Sequence, residues 1–69
     1  MISKKLENAL NEQINKELYS AYLYLGIAVH FESEGLKGFA GWMKVQAGEE
    51  QGHAMKIYDY LFSVGGVPA

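Results

Sequence analysis

The fold of this chain depends on a short polar stretch between two long helical patterns, SEGLKG at residues 33–38. Glycine closes a helix in the left-handed conformation more easily than other residues, so Gly35 predicts a helix stop. Ser3 can cap a first helix over about residues 4–32, and a second helix over about residues 37–64 ends at Gly65 and Gly66. The sequence therefore predicts an all-α protein, an antiparallel two-helix hairpin that forms a single domain over residues 1–69 with a turn at about residues 33–36.

Each helical pattern carries an apolar stripe that polar residues interrupt near its middle. At about 100° per residue, the first stripe encloses Glu17, and the second encloses Gln46, Glu50 and His53. The apolar members are Leu6, Leu10, Ile14, Leu18, Ala21, Leu25 and Ala28 on the first helix, and Phe39, Trp42, Met43, Ala54, Ile57, Tyr60, Leu61 and Val64 on the second. An antiparallel register places Glu17 within one helical turn of Glu50 and His53. We therefore predict one polar cluster between the helices.

This cluster has the composition of a metal site. Ionised carboxylates are costly to bury without a partner, and no lysine lies on either stripe to neutralise Glu17 or Glu50. Positions i and i+3 of a helix face the same side, so Glu50 and His53 can approach one cation. Bundle di-metal sites combine two single glutamates with two Glu-x-x-His pairs, and this chain has one of each. A homodimer would complete the set and close a four-helix bundle; a hydrogen-bonded structural pair of Glu50 and His53 is the alternative.

The composition limits the possible classes of protein. A chain of 69 residues encloses little core alone, and it has no cysteine, so we expect oligomerisation or metal bound by oxygen and nitrogen to support the fold. Six lysines, no arginine and eight acidic residues argue against nucleic-acid binding. No apolar run reaches the roughly 20 residues that span a bilayer, and no signal peptide is evident. We expect a cytoplasmic protein without membrane contact.

The first helix has a second apolar side, formed by Tyr19, Leu23 and Ile27. A helix that is apolar on two sides is usually buried on two sides, so we expect this side to contact a further copy in a higher oligomer. His30 lies beyond it, away from Glu17, and is interpreted as an interface or surface histidine.

Three stretches contain several motifs in order: LENALNEQINKELYSAYLYL at residues 6–25, GLKGFAGWM at 35–43 and EEQGHAMK at 49–56. Together they strongly resemble the first two helices of bacterial and archaeal non-haem ferritins, members of the ferritin-like di-iron carboxylate family. The resemblance covers nearly the whole chain. It implies iron binding and a ferroxidase centre, in which two Fe(II) ions are oxidised by O₂ to a bridged Fe(III) pair.

The same resemblance assigns roles to individual residues. It implies that Glu17 and His53 bind one iron terminally and that Glu50 bridges the pair. Tyr24 matches a tyrosine beside the centre, and Glu49 matches a carboxylate on the route of iron into it. We expect two iron ions per dimer; oxygen and nitrogen ligands also suit manganese and zinc.

The resemblance leaves alternatives open, because a ferritin subunit is longer and has four main helices. The rivals are a non-catalytic metal-binding or structural dimerisation module, a fragment of a ferritin subunit, and a compartmentalised iron-loading protein like the encapsulin-associated ferritins. The last would need a C-terminal targeting tail, and none is obvious. Gly41, Gly48 and Gly52 form an outer strip of the second helix, which predicts either close approach by another helix or a softened exposed face.

Overall fold

The computed structural model describes residues 2–69 and shows two antiparallel helices, α1 (Lys4–Ser33) and α2 (Lys37–Ser63), with no strand among these residues. The predicted all-α hairpin is confirmed. The first helix runs one residue past its predicted end, and the second stops one residue before it. Ser3 caps α1, because its hydroxyl oxygen accepts a hydrogen bond from the Leu6 backbone N–H at 3.2 Å. The molecule is a rod of 50 × 15 × 11 Å.

Both helices end in the same way, through a glycine in the left-handed conformation. Gly35 has a φ of +76°, and the next residue, Leu36, donates its backbone N–H to the Phe31 carbonyl at 2.8 Å. Gly65 has a φ of +84°, and Gly66 donates to the Leu61 carbonyl at 2.9 Å. These are Schellman motifs, which satisfy carbonyls that a helix end leaves without partners. The first one reverses the chain into α2.

The contact between the helices is a narrow seam of residues spaced seven apart. Its buried members are Ile14, Ala21 and Ala28 on α1, and Ala40, Ala47, Ala54 and Leu61 on α2, with Met43 beside them. A repeat of seven keeps one line of side chains facing a partner helix. The alanines have little side chain between the backbones, which allows the two helices to lie close together.

The predicted stripes are wider than this seam, and the difference has a physical reason. Leu18 and Leu25 remain 44% and 47% exposed, and Phe39 and Trp42 remain 58% and 56% exposed. Two helices alone can cover only the line where they meet, so the flanks of each stripe stay open. The sequence pattern therefore describes faces that suit a larger bundle. Ala40 and Ala47, which lie outside the predicted stripe, belong to the seam between α1 and α2.

The residues after α2 return to the beginning of α1. The Val67 N–H donates to Oε2 of Glu7 at 2.9 Å, and Nδ2 of Asn11 donates to the Val67 carbonyl at 3.0 Å. Oδ1 of Asn11 accepts a hydrogen bond from the Ala69 N–H at 2.8 Å. These three hydrogen bonds, here called the tail clamp, hold the last residues against α1.

Two further findings concern the outer surface. A Cβ added at Gly41, Gly48 or Gly52 would meet nothing within 4 Å, so this strip lies exposed on the hairpin. Over the described residues, neither α1 nor α2 combines the length and apolar character that crossing a bilayer requires.

Candidate metal centre

The polar cluster lies midway along the hairpin, where one side chain from α1 meets two from α2. Glu17, Glu50 and His53 each offer a ligand atom, and these three atoms lie within 4.8 Å of one another. Glu50 and His53 are one turn apart on α2, so both point toward α1. The structure brings together the three side chains whose convergence the register predicted.

The distances within the cluster are longer than those of hydrogen bonds and slightly longer than those between two ligands of one ion. Nδ1 of His53 is 3.5 Å from Oε2 of Glu17 and 3.7 Å from Oε1 of Glu50. Hydrogen bonds between nitrogen and oxygen are shorter, about 2.7–3.2 Å. Two ligands bonded to one ion at about 2.1 Å lie roughly 3.0–3.4 Å apart, depending on the coordination angle. A small movement of side chains would therefore let one cation contact all three groups.

The burial of the cluster is uneven. The side chain of Glu17 is 18% exposed and that of Glu50 22%, whereas that of His53 is 55% exposed. Oε2 of Glu17 is itself buried and has no hydrogen-bond partner among the described residues. Such an oxygen normally has a partner, because a buried polar atom without one is destabilising. The cluster therefore has the form of a site that lacks one positive group.

Lysine does not supply that positive group. The ion pairs that lysine forms in the described part of the chain lie elsewhere and join Lys4 to Glu7, Lys16 to Glu12, and Lys44 to Glu32. This agrees with the absence of lysine from the two predicted stripes.

Glu17 has one further partner that the sequence reasoning missed. Nε2 of Gln13 donates a hydrogen bond to Oε1 of Glu17 at 2.8 Å. Residues four apart are neighbours on a helix surface, and this spacing was the available signal for the contact. Gln13 leaves the other oxygen of Glu17 facing α2.

The two carboxyl groups shift each other's pKa in opposite directions. The Glu17 carboxyl raises the pKa of Glu50, and partial burial acts in the same direction. The neighbouring Glu50 carboxyl, which can carry the proton in place of Glu17, and then the hydrogen bond from the Gln13 amide lower the pKa of Glu17. When Glu50 carries a proton it can donate to Glu17; when both are ionised, no donor lies between them. A proton can thus occupy the place of a cation, and a metal would have to displace it.

The other two predicted site residues lie outside this cluster. Glu49 is exposed and is not a member of the three-residue group, although its negative charge contributes to the raised pKa of Glu50. Tyr24 is half-buried and lies seven positions after Glu17, about two helical turns away. The roles of both residues remain predictions.

Comparisons with known proteins identify the family of this chain. Residues 7–69 match the sequence model of a family described as "Ferritin-like domain". The chain is 54% identical over 67 residues to a bacterial non-heme ferritin of Bacteroides fragilis, covering 97% of this chain and 42% of that protein. It is 46% identical over 61 residues to a bacterial non-heme ferritin of Staphylococcus epidermidis, covering 88% of this chain and 37% of that protein.

A solved structure shows the same backbone arrangement. A closed form of the Archaeoglobus fulgidus ferritin, engineered by site-directed mutagenesis, superimposes with a TM-score of 0.98 at 55% identity, covering 100% of this chain and 42% of that one. The chain belongs to the ferritin-like family, and the predicted resemblance is confirmed. Its relatives in that family are non-heme ferritins, and the chain spans about two fifths of their length.

Proposed function

We propose that this chain binds iron and supplies half of a di-iron ferroxidase site, with Glu17, Glu50 and His53 as its ligands. The observation that carries the proposal is the buried Oε2 of Glu17, which has no partner in the described residues and lies 3.5 Å from the imidazole of His53. Two carboxylates and one imidazole are donors suited to iron, and also to manganese and zinc. Membership of the ferritin-like family favours iron among these metals.

The second half of the site comes, in this proposal, from a second copy of the chain. Two copies give four carboxylates and two imidazoles, the set found in ferritin-like bundle sites, and four negative charges balance two divalent ions. The exposure of His53 in the single hairpin supports this arrangement, because a partner would approach from the side where its ring is open. The same contact would cover apolar side chains such as Leu18 and Trp42.

The chain's residues have distinct tasks in the proposed reaction. Glu17 on α1 and His53 on α2 would hold one Fe(II), and Glu50 would supply the carboxylate that the two ions share. Because the nearby Glu17 carboxyl and partial burial raise the pKa of Glu50, protons compete with Fe(II) for this carboxylate, so iron binding tightens as the pH rises through the range in which Glu50 titrates. In the overall reaction two Fe(II) are oxidised to two Fe(III), and one O₂ takes up the two electrons and two protons to give H₂O₂.

An anaerobic Fe(II) titration followed by addition of oxygen tests this function. We expect saturation at one Fe(II) per chain, followed by visible absorbance from an Fe(III) pair when O₂ is added. Binding without that absorbance would leave a non-catalytic metal-binding module and exclude the ferroxidase. When the titration is repeated with Glu17→Gln, the matched control is Glu12→Gln. Glu12 is an exposed glutamate on α1, and its ion pair with Lys16 lies outside the cluster.

The solution mass of the chain tests the shared site separately. We expect a dimer or a larger even assembly, measured by light scattering with and without Fe(II). A monomer that binds iron with full affinity would contradict the shared site while leaving the ligands assigned.

A further inference from the structure

The two oxygens of the Glu17 carboxylate have different surroundings. Oε1 accepts the hydrogen bond from Nε2 of Gln13 at 2.8 Å. Oε2 is buried, has no hydrogen-bond partner in residues 2–69, and faces His53. The carboxylate is therefore presented to the cluster through a single oxygen.

The hydrogen bond from Gln13 opposes any rotation of this carboxylate. A bidentate carboxylate must place both oxygens at similar distances from the ion. Turning Glu17 to do so would move Oε1 toward the cluster and lengthen its bond to the Gln13 amide. Gln13 donates from the helix surface one turn before Glu17, so it fixes the group without entering the site.

We propose that Gln13 is a positioning residue that makes Glu17 a ligand through Oε2 alone. This inference rests on the proposed metal function. A residue that hydrogen-bonds to a metal ligand sets the orientation of that ligand. Removing such a residue commonly weakens metal binding by about 10–100-fold. With Oε1 held aside, Glu17 would contact the ion through one oxygen, which would leave room at the ion for Glu50, His53 and O₂.

The chain contains a matched comparison. Gln46 precedes Glu50 on α2 by the same four positions that separate Gln13 from Glu17. In the part of the chain that the structure describes, no hydrogen bond joins Gln46 to Glu50, and the amide is absent from the causes that shift the pKa of Glu50. The two glutamines share residue type and spacing, and only Gln13 holds its glutamate.

The test uses Co(II), which binds oxygen and nitrogen ligands and whose visible spectrum reports its coordination number. Gln13→Met and Gln46→Met make the same change, and methionine matches glutamine in length and helix propensity. We expect Gln13→Met to weaken Co(II) binding by about tenfold. We also expect weaker visible absorption per bound ion, because a bidentate Glu17 raises the coordination number.

The control should separate positioning from helix stability. Gln46→Met should keep the wild-type dissociation constant and spectrum. Both metal-free variants should keep the wild-type helix content, and only Gln13→Met should unfold at a lower temperature, because it loses the hydrogen bond to Glu17. If Gln13→Met matches Gln46→Met in affinity and spectrum, Gln13 is only a surface partner and the inference is wrong. If the wild-type chain fails to bind Co(II) or Fe(II), the proposed metal function is wrong, and the inference falls with it.

Discussion

Glu7 and Glu17 lie ten positions apart on the same helix, and both are half-buried, yet their surroundings differ completely. Both oxygens of Glu7 have partners: the Lys4 ammonium group lies 2.9 Å from Oε1, and the Val67 N–H lies 2.9 Å from Oε2. Glu17 has one neutral amide on Oε1 and nothing on its buried Oε2. One carboxylate is fully satisfied by the protein, and the other is not.

This difference separates a structural carboxylate from a candidate ligand. The ammonium group and the backbone N–H both favour the ionised form of Glu7, and nothing further is needed there. At Glu17 the cluster contains a second carboxyl, that of Glu50, and the two carboxyl groups repel each other when both are ionised. Two neighbouring carboxyl groups without a lysine destabilise the fold through charge repulsion. A bound cation would compensate for this cost.

The largest expected effect is on metal affinity, and it should appear when Glu17 is neutralised but not when Glu7 is. Glu17→Gln should weaken Fe(II) or Co(II) binding by more than about 100-fold, because losing a ligand costs more than losing a partner behind a ligand. Glu7→Gln should leave metal affinity unchanged, since Glu7 lies at the far end of the seam. Isothermal titration at fixed pH and chain concentration measures both.

The same two variants should move metal-free stability in opposite directions. Glu17→Gln removes the charge that raises the pKa of Glu50, so its thermal unfolding midpoint should rise. Glu7→Gln loses its charge-assisted contacts, so its midpoint should fall. A fall for both variants would show that Glu17 is structural too, and the distinction between the two residues would be lost.

The tail clamp that satisfies Glu7 depends on Gly66, which gives the next largest effect. A Cβ at Gly66 would overlap Cδ1 of the fully buried Leu61 and would lie 3.1 Å from the Leu61 carbonyl oxygen. Gly66→Ala should therefore destabilise the chain by about 1–3 kcal/mol, through overpacking at the place where the tail turns back. Chemical denaturation at a fixed chain concentration measures this change.

Gly52→Ala provides the matched control for that variant. Nothing lies within 4 Å of a Cβ at Gly52, which is inside α2, so the substitution should stabilise by about 0.5–1 kcal/mol. Destabilisation of similar size in both variants would mean that the contact with Leu61 is not the cause. Destabilisation in Gly52→Ala alone would point to a second helix packed on the exposed glycine strip.

Asn11 holds the tail without contributing charge, and its effect should be smaller. Asn11→Ala removes the hydrogen bonds to the Val67 carbonyl and the Ala69 N–H. We expect a loss of about 1 kcal/mol in unfolding free energy, typical of a solvent-accessible hydrogen-bonding side chain. Metal affinity should not change, and a change would show that the tail clamp and the central cluster are coupled.

The sequence predicted the hairpin and the central cluster because both follow from local rules. Gly35 can be recognised as a helix stop from its residue type alone, and helix length then sets the height at which Glu17 meets Glu50. The tail clamp could not be predicted in this way. It depends on the direction that the chain takes after Gly65, which brings Val67 to a residue 60 positions earlier.

The sequence of one chain also could not predict how much of each apolar stripe the hairpin buries. A periodic pattern shows which faces are apolar, but it does not say which partner covers each face. Ala40 and Ala47 form the seam of the hairpin, whereas the larger Phe39 and Trp42 remain exposed. The small residues mark the closest helix contact, and the large ones lie on faces that the hairpin leaves open.

The smallest expected effect is a pH dependence confined to the tail. The hydrogen bond with Lys4, and then that from the Val67 N–H, hold the pKa of Glu7 below its ordinary value of 4.5. Because the pKa is lower in the folded chain than in the unfolded chain, this stabilisation is present above pH 4.5 and is lost as the pH falls through the folded-state value. Protection of the Val67 amide against hydrogen exchange, corrected for the intrinsic rate, should therefore decrease below about pH 4.5.

Glu7→Gln separates this charge effect from simple acid loosening of the tail. Its side-chain carbonyl can still accept from Val67 but cannot titrate, so protection of that amide should be weaker at neutral pH and should no longer change in this acid range. The amides of the seam, such as that of Ala54, serve as an internal reference, because they report opening of the whole hairpin. If Val67 in Glu7→Gln still loses protection with the wild-type pH profile, another group controls the tail. The charge of Glu7, like that of Glu17, would then not contribute to the stability of the fold.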